Sequence, residues 1–213
     1  ITLVEGDPGT GKSFLTQAIA AAVSLGFCFP GDVPQEPQNV IIMSAEDGAG
    51  DTIRPRLEDM QAVLERIVLL RGMIDEKGNA AFLTLSDLDV IEKAIEQVNP
   101  ALVIIDPIIA FTAGKDTHKA SEVRSLLAPL AGLAEKHNVA VICVRHLNKS
   151  NSKYSYRGQG SIDFLAACRS AFLCGPDPEN PELKVFCHIK SNVGPIMPSL
   201  SYSIANGQFV WGG

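Results

Sequence analysis

The sequence has no apolar run approaching the roughly 18–20 residues needed to span a bilayer, which excludes a helical membrane crossing within its 213 residues. It has no basic start followed by an apolar stretch, so no secretory signal is read at its beginning. It lacks an initiator methionine: Ile1 opens directly into a strand-like run, which implies a truncated piece whose preceding segment is missing. Positive charge is in deficit, with a net charge of −6 and an isoelectric point of about 5.2. Such a chain is not expected to coat DNA with its whole surface, while a local basic patch inside an oligomer stays compatible with that balance. There is no CxxC pair among the five cysteines, Cys28, Cys143, Cys168, Cys174 and Cys187, and the number is odd. Three of them lie in apolar, strand-like runs. They read as reduced, buried thiols of a cytoplasmic protein rather than a zinc site or a disulfide framework. No internal repeat and no low-complexity tract interrupts the chain. Its 46% hydrophobic and 20% charged residues suffice for one α/β domain, residues 1–213, with a single core.

What is present is an alternation of strand and helix patterns. Residues 1–5 alternate as a strand and run into a glycine-rich turn at 6–11. Residues 12–25 have helical spacing, with Phe14, Leu15, Ala18, Ile19, Ala22 and Val23 on the inner face and Gly26 as C-cap. Buried strands are predicted at 40–43, 102–105 and 139–144, and helices at 51–64, from near Ser86 to Val98, and 119–137. Two more strands are read at 67–73 and 80–85 around a polar turn at 75–79. Ser86, three residues before Asp89, resembles a capping box, and Asn99-Pro100 ends the helix that follows. From Ala171 to Trp211 the pattern is mainly strands and turns. The expected fold is therefore α/β: a mainly parallel central sheet flanked by helices on both faces, with antiparallel strands added at the C-terminal edge.

Gly6-Asp7-Pro8-Gly9-Thr10-Gly11-Lys12-Ser13 matches G-x-x-x-x-G-K-[ST], between a strand and a helix as the motif requires. The glycines let the backbone wrap closely around phosphates with its amides pointing inward, and the helix start adds the positive end of its dipole. Lys12 supplies a charge to the β- and γ-phosphates, and Ser13 a hydroxyl to Mg²⁺. Phe14, the next residue, is counted with this nucleotide-binding set. Asp106, at the end of the most hydrophobic run, is the carboxylate expected behind the Mg²⁺. Pro107 follows it and cannot act as a base, so the attacking water must be polarised from elsewhere. Glu46, beyond the strand at 40–43, is the first choice and its neighbour Asp47 the competing one. His146 follows the strand at 139–144, where an imidazole can meet the γ-phosphate. No guanine-recognition motif Asn/Thr-Lys-x-Asp is present, which leaves ATP as the nucleotide.

Together these segments resemble the RecA-like ring ATPases, and among them the RepA-type plasmid replicative helicases and related phage ATPases. The resemblance rests on the phosphate loop, Ser44-Ala45-Glu46-Asp47, the run ending Asp106-Pro107, Arg145-His146, Arg157-Gly158 with Gly160-Ser161, and Ala167-Cys168-Arg169. It implies a hexameric ring with ATP at subunit interfaces, and Glu46 at the position of the family's catalytic glutamate. It also implies a positive finger from one subunit on the next subunit's γ-phosphate, a group worth about 10³–10⁵ in rate. Arg169 is the first candidate for that finger. Lys190 is the second, in a segment that resembles the Lys-x-Arg of DnaB-like helicases but has Asn192 where the arginine would stand. Lys149, Lys153 and Arg157 recur every fourth residue, with Tyr154 and Tyr156 between them, a combination suited either to tracking and stacking single-stranded DNA or to a solvated loop. The function expected is ATP hydrolysis coupled to movement on DNA; the alternative is a nucleotide-dependent assembly switch of the KaiC-like kind.

Overall fold

A computed structural model of the chain describes residues 1–27, 33–74, 80–148, 162–205 and 207–212. Strand β1 (Thr2–Gly6) passes through the glycine-rich loop into helix α1 (Lys12–Leu25), and Gly26 closes that helix by donating its N–H to the carbonyls of Ala22 and Val23. Three further strands run longer than their apolar cores: β2 (Asn39–Ser44), β6 (Pro100–Asp106) and β7 (Ala140–His146). Each ends on a polar residue, Ser44, Asp106 or His146. With β3 (Ile67–Leu69) and β8 (Ser170–Pro176) they make a parallel array in the order β3–β2–β6–β7–β1–β8. The antiparallel strands β9 (Lys184–Ser191), β10 (Leu200–Ala205) and β11 (Gln208–Trp211) extend the β8 edge. This is the architecture expected from the sequence.

Because side chains alternate across a strand, each strand contributes to two cores. Leu3, Ile41, Met43, Val103, Ile105, Val141 and Cys143 face α3 (Leu88–Val98), α4 (Ala120–Lys136) and Phe164 of the short α5 (Asp163–Ala167). Val4, Val40, Ile42, Leu102 and Ile104 face α1 and α2 (Arg54–Asp59). Burial on both faces explains why these strands read as continuous apolar runs.

Several local expectations are corrected. Residues 51–64 are not one helix: a π-helical turn, Ala49–Ile53, leads into the short α2, where Pro55 suits a first turn, and a 3₁₀ turn, Leu64–Arg66, follows. The run 67–73 is divided between β3 in the main sheet and β4 (Gly72–Ile74), which pairs with β5 (Ala80–Phe82) as a separate hairpin. The N-cap of α3 is Asp87, not Ser86, and its carboxylate is turned back to accept from the N–H and hydroxyl of Thr84 at 2.9 and 2.7 Å. On α1 the buried residues include Leu15, Ile19, Ala20 and Ala21, whereas Phe14 is only half-buried. The turn at 75–79, Cys28 and the basic segment with Lys149, Lys153, Tyr154, Tyr156 and Arg157 lie outside the described residues. Among the described residues no helix is long and apolar enough to cross a membrane. Cys143, Cys168, Cys174 and Cys187 are free thiols, the first three buried.

Candidate functional site

In an open parallel sheet, ligands gather beyond the carboxyl ends of the strands. Here the ends of β1, β7, β6 and β2 lie side by side, with Gly6 in register with His146 and Ser44 with Asp106. The loop that leaves β1 is tightly constrained. A side chain at Gly6 would collide with the Cys174 carbonyl, and one at Gly11, where φ is +81°, with Ile204 of β10. Thr10 donates its hydroxyl to the Asp7 carbonyl at 2.9 Å, and its own carbonyl accepts from the buried Tyr202 hydroxyl at 2.7 Å. The Lys12 ammonium is 3.0 Å from the Gly6 carbonyl and 2.9 Å from that of Asp7. Burial lowers its pKa, against the pull of Asp106, Asp7 and Glu46.

The loop forms one wall of a cavity of about 180 Å³, through Gly9, Gly11, Lys12, Ser13 and Phe14, and Asp47, Arg56 and His146 complete it. Asp106 is buried behind Ser13 and accepts a hydrogen bond from the Ser13 side chain. Its carboxyl is pushed up to about 6, first by burial and then by Asp47 and Glu46, while Ser13 and Lys12 oppose the rise. A hydroxyl and a carboxylate in contact form an all-oxygen donor pair of the kind Mg²⁺ takes, so the residues present fit that ion. A larger cavity of about 330 Å³ lies under the far end of α1, between Val23 and Phe27 and the strands. It is mostly apolar and none of the residues expected to act on phosphate lines it.

The two acids after β2 have different surroundings. Asp47 accepts from Arg56 Nη1 at 2.8 Å and from Gln17 Nε2 at 3.3 Å, and its side chain is 23% exposed. The Glu46 side chain is 61% exposed and lies 3.6 Å from His146 Nε2. Buried His146 Nδ1 has no partner among the described residues. Burial, then the Lys12 charge, lowers the His146 pKa, and Glu46 acts in the opposite sense.

Directly behind the loop, Glu5 of β1 and Arg145 of β7 face each other in register and form a fully buried ion pair, with Arg145 Nε 2.7 Å from Glu5 Oε1. The same guanidinium lies 5.1 Å from the Phe164 ring centre. Sequence reasoning passed over this pair, although a charge within each of two apolar strands was a signal. It also missed Gln17, Arg56 and Tyr202, which arrive through tertiary register and carry no local mark.

The two finger candidates lie at the other end of the sheet. Arg169 precedes Ser170, which pairs with Thr2, and its N–H donates to the Ile1 carbonyl. It is roughly 16 Å along β1 from Gly6 at ordinary strand rise. Its side chain is exposed. The Lys190 ammonium donates to the carbonyls of Leu165, Ala166 and Cys168 at 2.7–2.9 Å, where it closes the end of α5.

A family model described as an AAA domain matches residues 1–152. The DNA repair protein RadA of Mycobacterium tuberculosis is 30% identical over 155 residues, which are 71% of this chain and 28% of that protein, so the chain spans less than a third of this relative's length. Among solved structures, a KaiC-like protein from the archaeon Pyrococcus horikoshii superposes with a TM-score of 0.66 at 16% identity, covering 100% of this chain and 88% of its own. The RadB recombinase does so with a TM-score of 0.63 at 16% identity, over 98% and 88%.

Proposed function

Because this chain belongs to the AAA domain family and has the fold of a RecA-like P-loop ATPase, we propose that it is a Mg²⁺-dependent ATP hydrolase whose turnover is coupled to movement on DNA. The observation that carries the reading is the meeting of Lys12, Ser13, Asp106, Glu46 and His146 at the adjoining ends of four strands. The names of RadA, a DNA repair protein, and of the RadB recombinase support a DNA substrate in replication, recombination or repair.

In this reading the backbone N–H groups of residues 9–13 cradle the phosphates and Lys12 holds the β- and γ-groups. Ser13 and Asp106 hold Mg²⁺, which when bound offsets charge on the phosphate oxygens. Glu46, 61% exposed and 3.6 Å from His146 Nε2, orients a water in line with the γ-phosphate and takes its proton. His146, beside Glu46 and Lys12, relays the state of the γ-phosphate along β7 to the segment after it, where Lys149, Lys153, Tyr154 and Arg157 grip single-stranded DNA. The chain acts as one ATPase domain that assembles as a hexameric ring. Arg169 of a neighbouring copy supplies the finger: its side chain is exposed, whereas the Lys190 ammonium is occupied by three carbonyls. Free thiols suit a cytoplasmic setting.

The test is steady-state ATP hydrolysis with and without single-stranded DNA, with Glu46→Gln as the turnover-deficient control that still binds ATP. Strong stimulation that disappears in a Lys149→Ala, Lys153→Ala, Arg157→Ala triple variant is the expected result. Turnover indifferent to DNA would reject the motor and favour a nucleotide-dependent assembly switch. Full turnover in Glu46→Gln would sink the assignment of the base.

A further inference from the structure

Arg56 enters the cavity from α2, a helix that none of the sequence motifs marks. Its guanidinium lies over the Phe14 ring, 4.0 Å from the centroid, and its Nη1 donates to Asp47 Oδ2 at 2.8 Å. Gln17 Nε2 of α1 reaches the same Oδ2 at 3.3 Å, and the Asp47 N–H donates to Ser44 Oγ at 3.3 Å. Phe14, Asp47 and Arg56 all line the phosphate cavity. Arg56 and Asp47 are each 23% exposed, so their attraction is less screened than that of a surface pair.

Asp47 is the carboxylate in the cavity wall, beside the cations of Lys12 and Arg56. Two more carboxyls lie close by: Asp106 behind Ser13, which Asp47 and Glu46 are near enough to push up, and Glu46 beside His146. A triphosphate adds roughly four more negative charges. A carboxylate left free in this partly desolvated space would repel the nucleotide and compete for Lys12. A planar, permanently charged guanidinium stacked on an aromatic ring is well suited to pin such a carboxylate, and an ammonium is not equivalent.

We propose that Arg56 is a positioning residue that acts through Asp47: it neutralises this carboxylate and holds it away from the phosphates, leaving Glu46 as the carboxylate that faces the water. The proposal rests on the nucleotide reading given above and adds to it a residue and a charge-management role.

The experiment is equilibrium binding of MgATP to the parent protein, Arg56→Gln, Arg56→Lys, Asp47→Asn and the double variant Arg56→Gln/Asp47→Asn, each checked for folding by its thermal melt. Arg56→Gln weakens binding about tenfold, as expected for one freed like charge beside the phosphates. Arg56→Lys loses less. Adding Asp47→Asn to Arg56→Gln restores affinity toward the parent. Rescue is the deciding readout. If the ion pair only supported α2, the double variant would lack it as fully as the single one and would bind no better. Parent-like affinity in Arg56→Gln, or a double variant no tighter than Arg56→Gln, overturns the proposal while leaving the nucleotide site intact. A parent protein that binds no MgATP overturns both. If Arg56→Gln melts before it can be assayed, Arg56→Lys with and without Asp47→Asn decides by the same criterion.

Discussion

Burial, and then the Lys12 charge, lower the pKa of the His146 imidazole from the ordinary 6.5 in spite of Glu46. Two consequences follow at the scale of this residue. The shift favours the neutral ring, which binds Glu46, 3.6 Å away, less strongly than an imidazolium would. The second concerns stability. The folded chain binds this proton less readily than the unfolded chain, so the contribution is fully present above the ordinary value and is lost as the pH falls below it. Melting curves taken from about pH 7 down to about pH 5 are expected to show a falling midpoint in the parent and a shallower fall in His146→Asn. Identical slopes in the two proteins would contradict the depressed pKa.

At the scale of elements, the C-terminal strands take part in shaping the phosphate loop. Tyr202 of β10 donates to the Thr10 carbonyl, and Ile204 fills the space beside Gly11. Tyr202→Phe removes one buried hydrogen bond and leaves that carbonyl unpaired, at a cost of about 1–3 kcal/mol. Denaturant unfolding is expected to show this loss, and MgATP affinity to fall with it because the loop loses a tether; unchanged affinity would mean that the loop holds its shape alone. The sequence made the loop, α1, β6 and β7 legible because each is a local pattern: an apolar run stopped by a residue with a task. Lys12, Ser13, Glu46, Asp106 and His146 were picked out in this way, and the structure brings them together at neighbouring strand ends. Residues 51–64 were misread because the helix stops at Asp59 and Gln61, with a φ of 57°, turns the chain out of the helical path. The 67–73 run was misread because one apolar stretch serves two sheets. Tyr202, Arg56 and Gln17 act across folded distance, and spacing along the chain holds no record of it.

For the whole molecule, the placement of Arg169 at the sheet end remote from Gly6 separates the two halves of the proposed catalytic charge. One protomer alone cannot bring Arg169 to its own Lys12. Subunits carrying Lys12→Ala and subunits carrying Arg169→Ala are each expected to be nearly inactive, since a finger contributes about 10³–10⁵ in rate. Mixed together they should regain turnover, because some interfaces then join an intact loop to an intact finger. Failure of the mixture to recover, with assembly verified by sedimentation, would exclude Arg169 as the trans group. The order of strands also has a bearing on how the protein is made. β1 leaves the ribosome well before β7 and β8, the two strands that become its neighbours. Translation at ordinary speed delivers β7 on the order of ten seconds later. Until then Leu3 and Val4 have no sheet to enter, and the loop has neither His146 beside it nor Tyr202 above it. A growing chain therefore cannot assemble the surroundings of this loop until β7 and then β10 have emerged, and for that interval the apolar residues of β1 are open to chaperones.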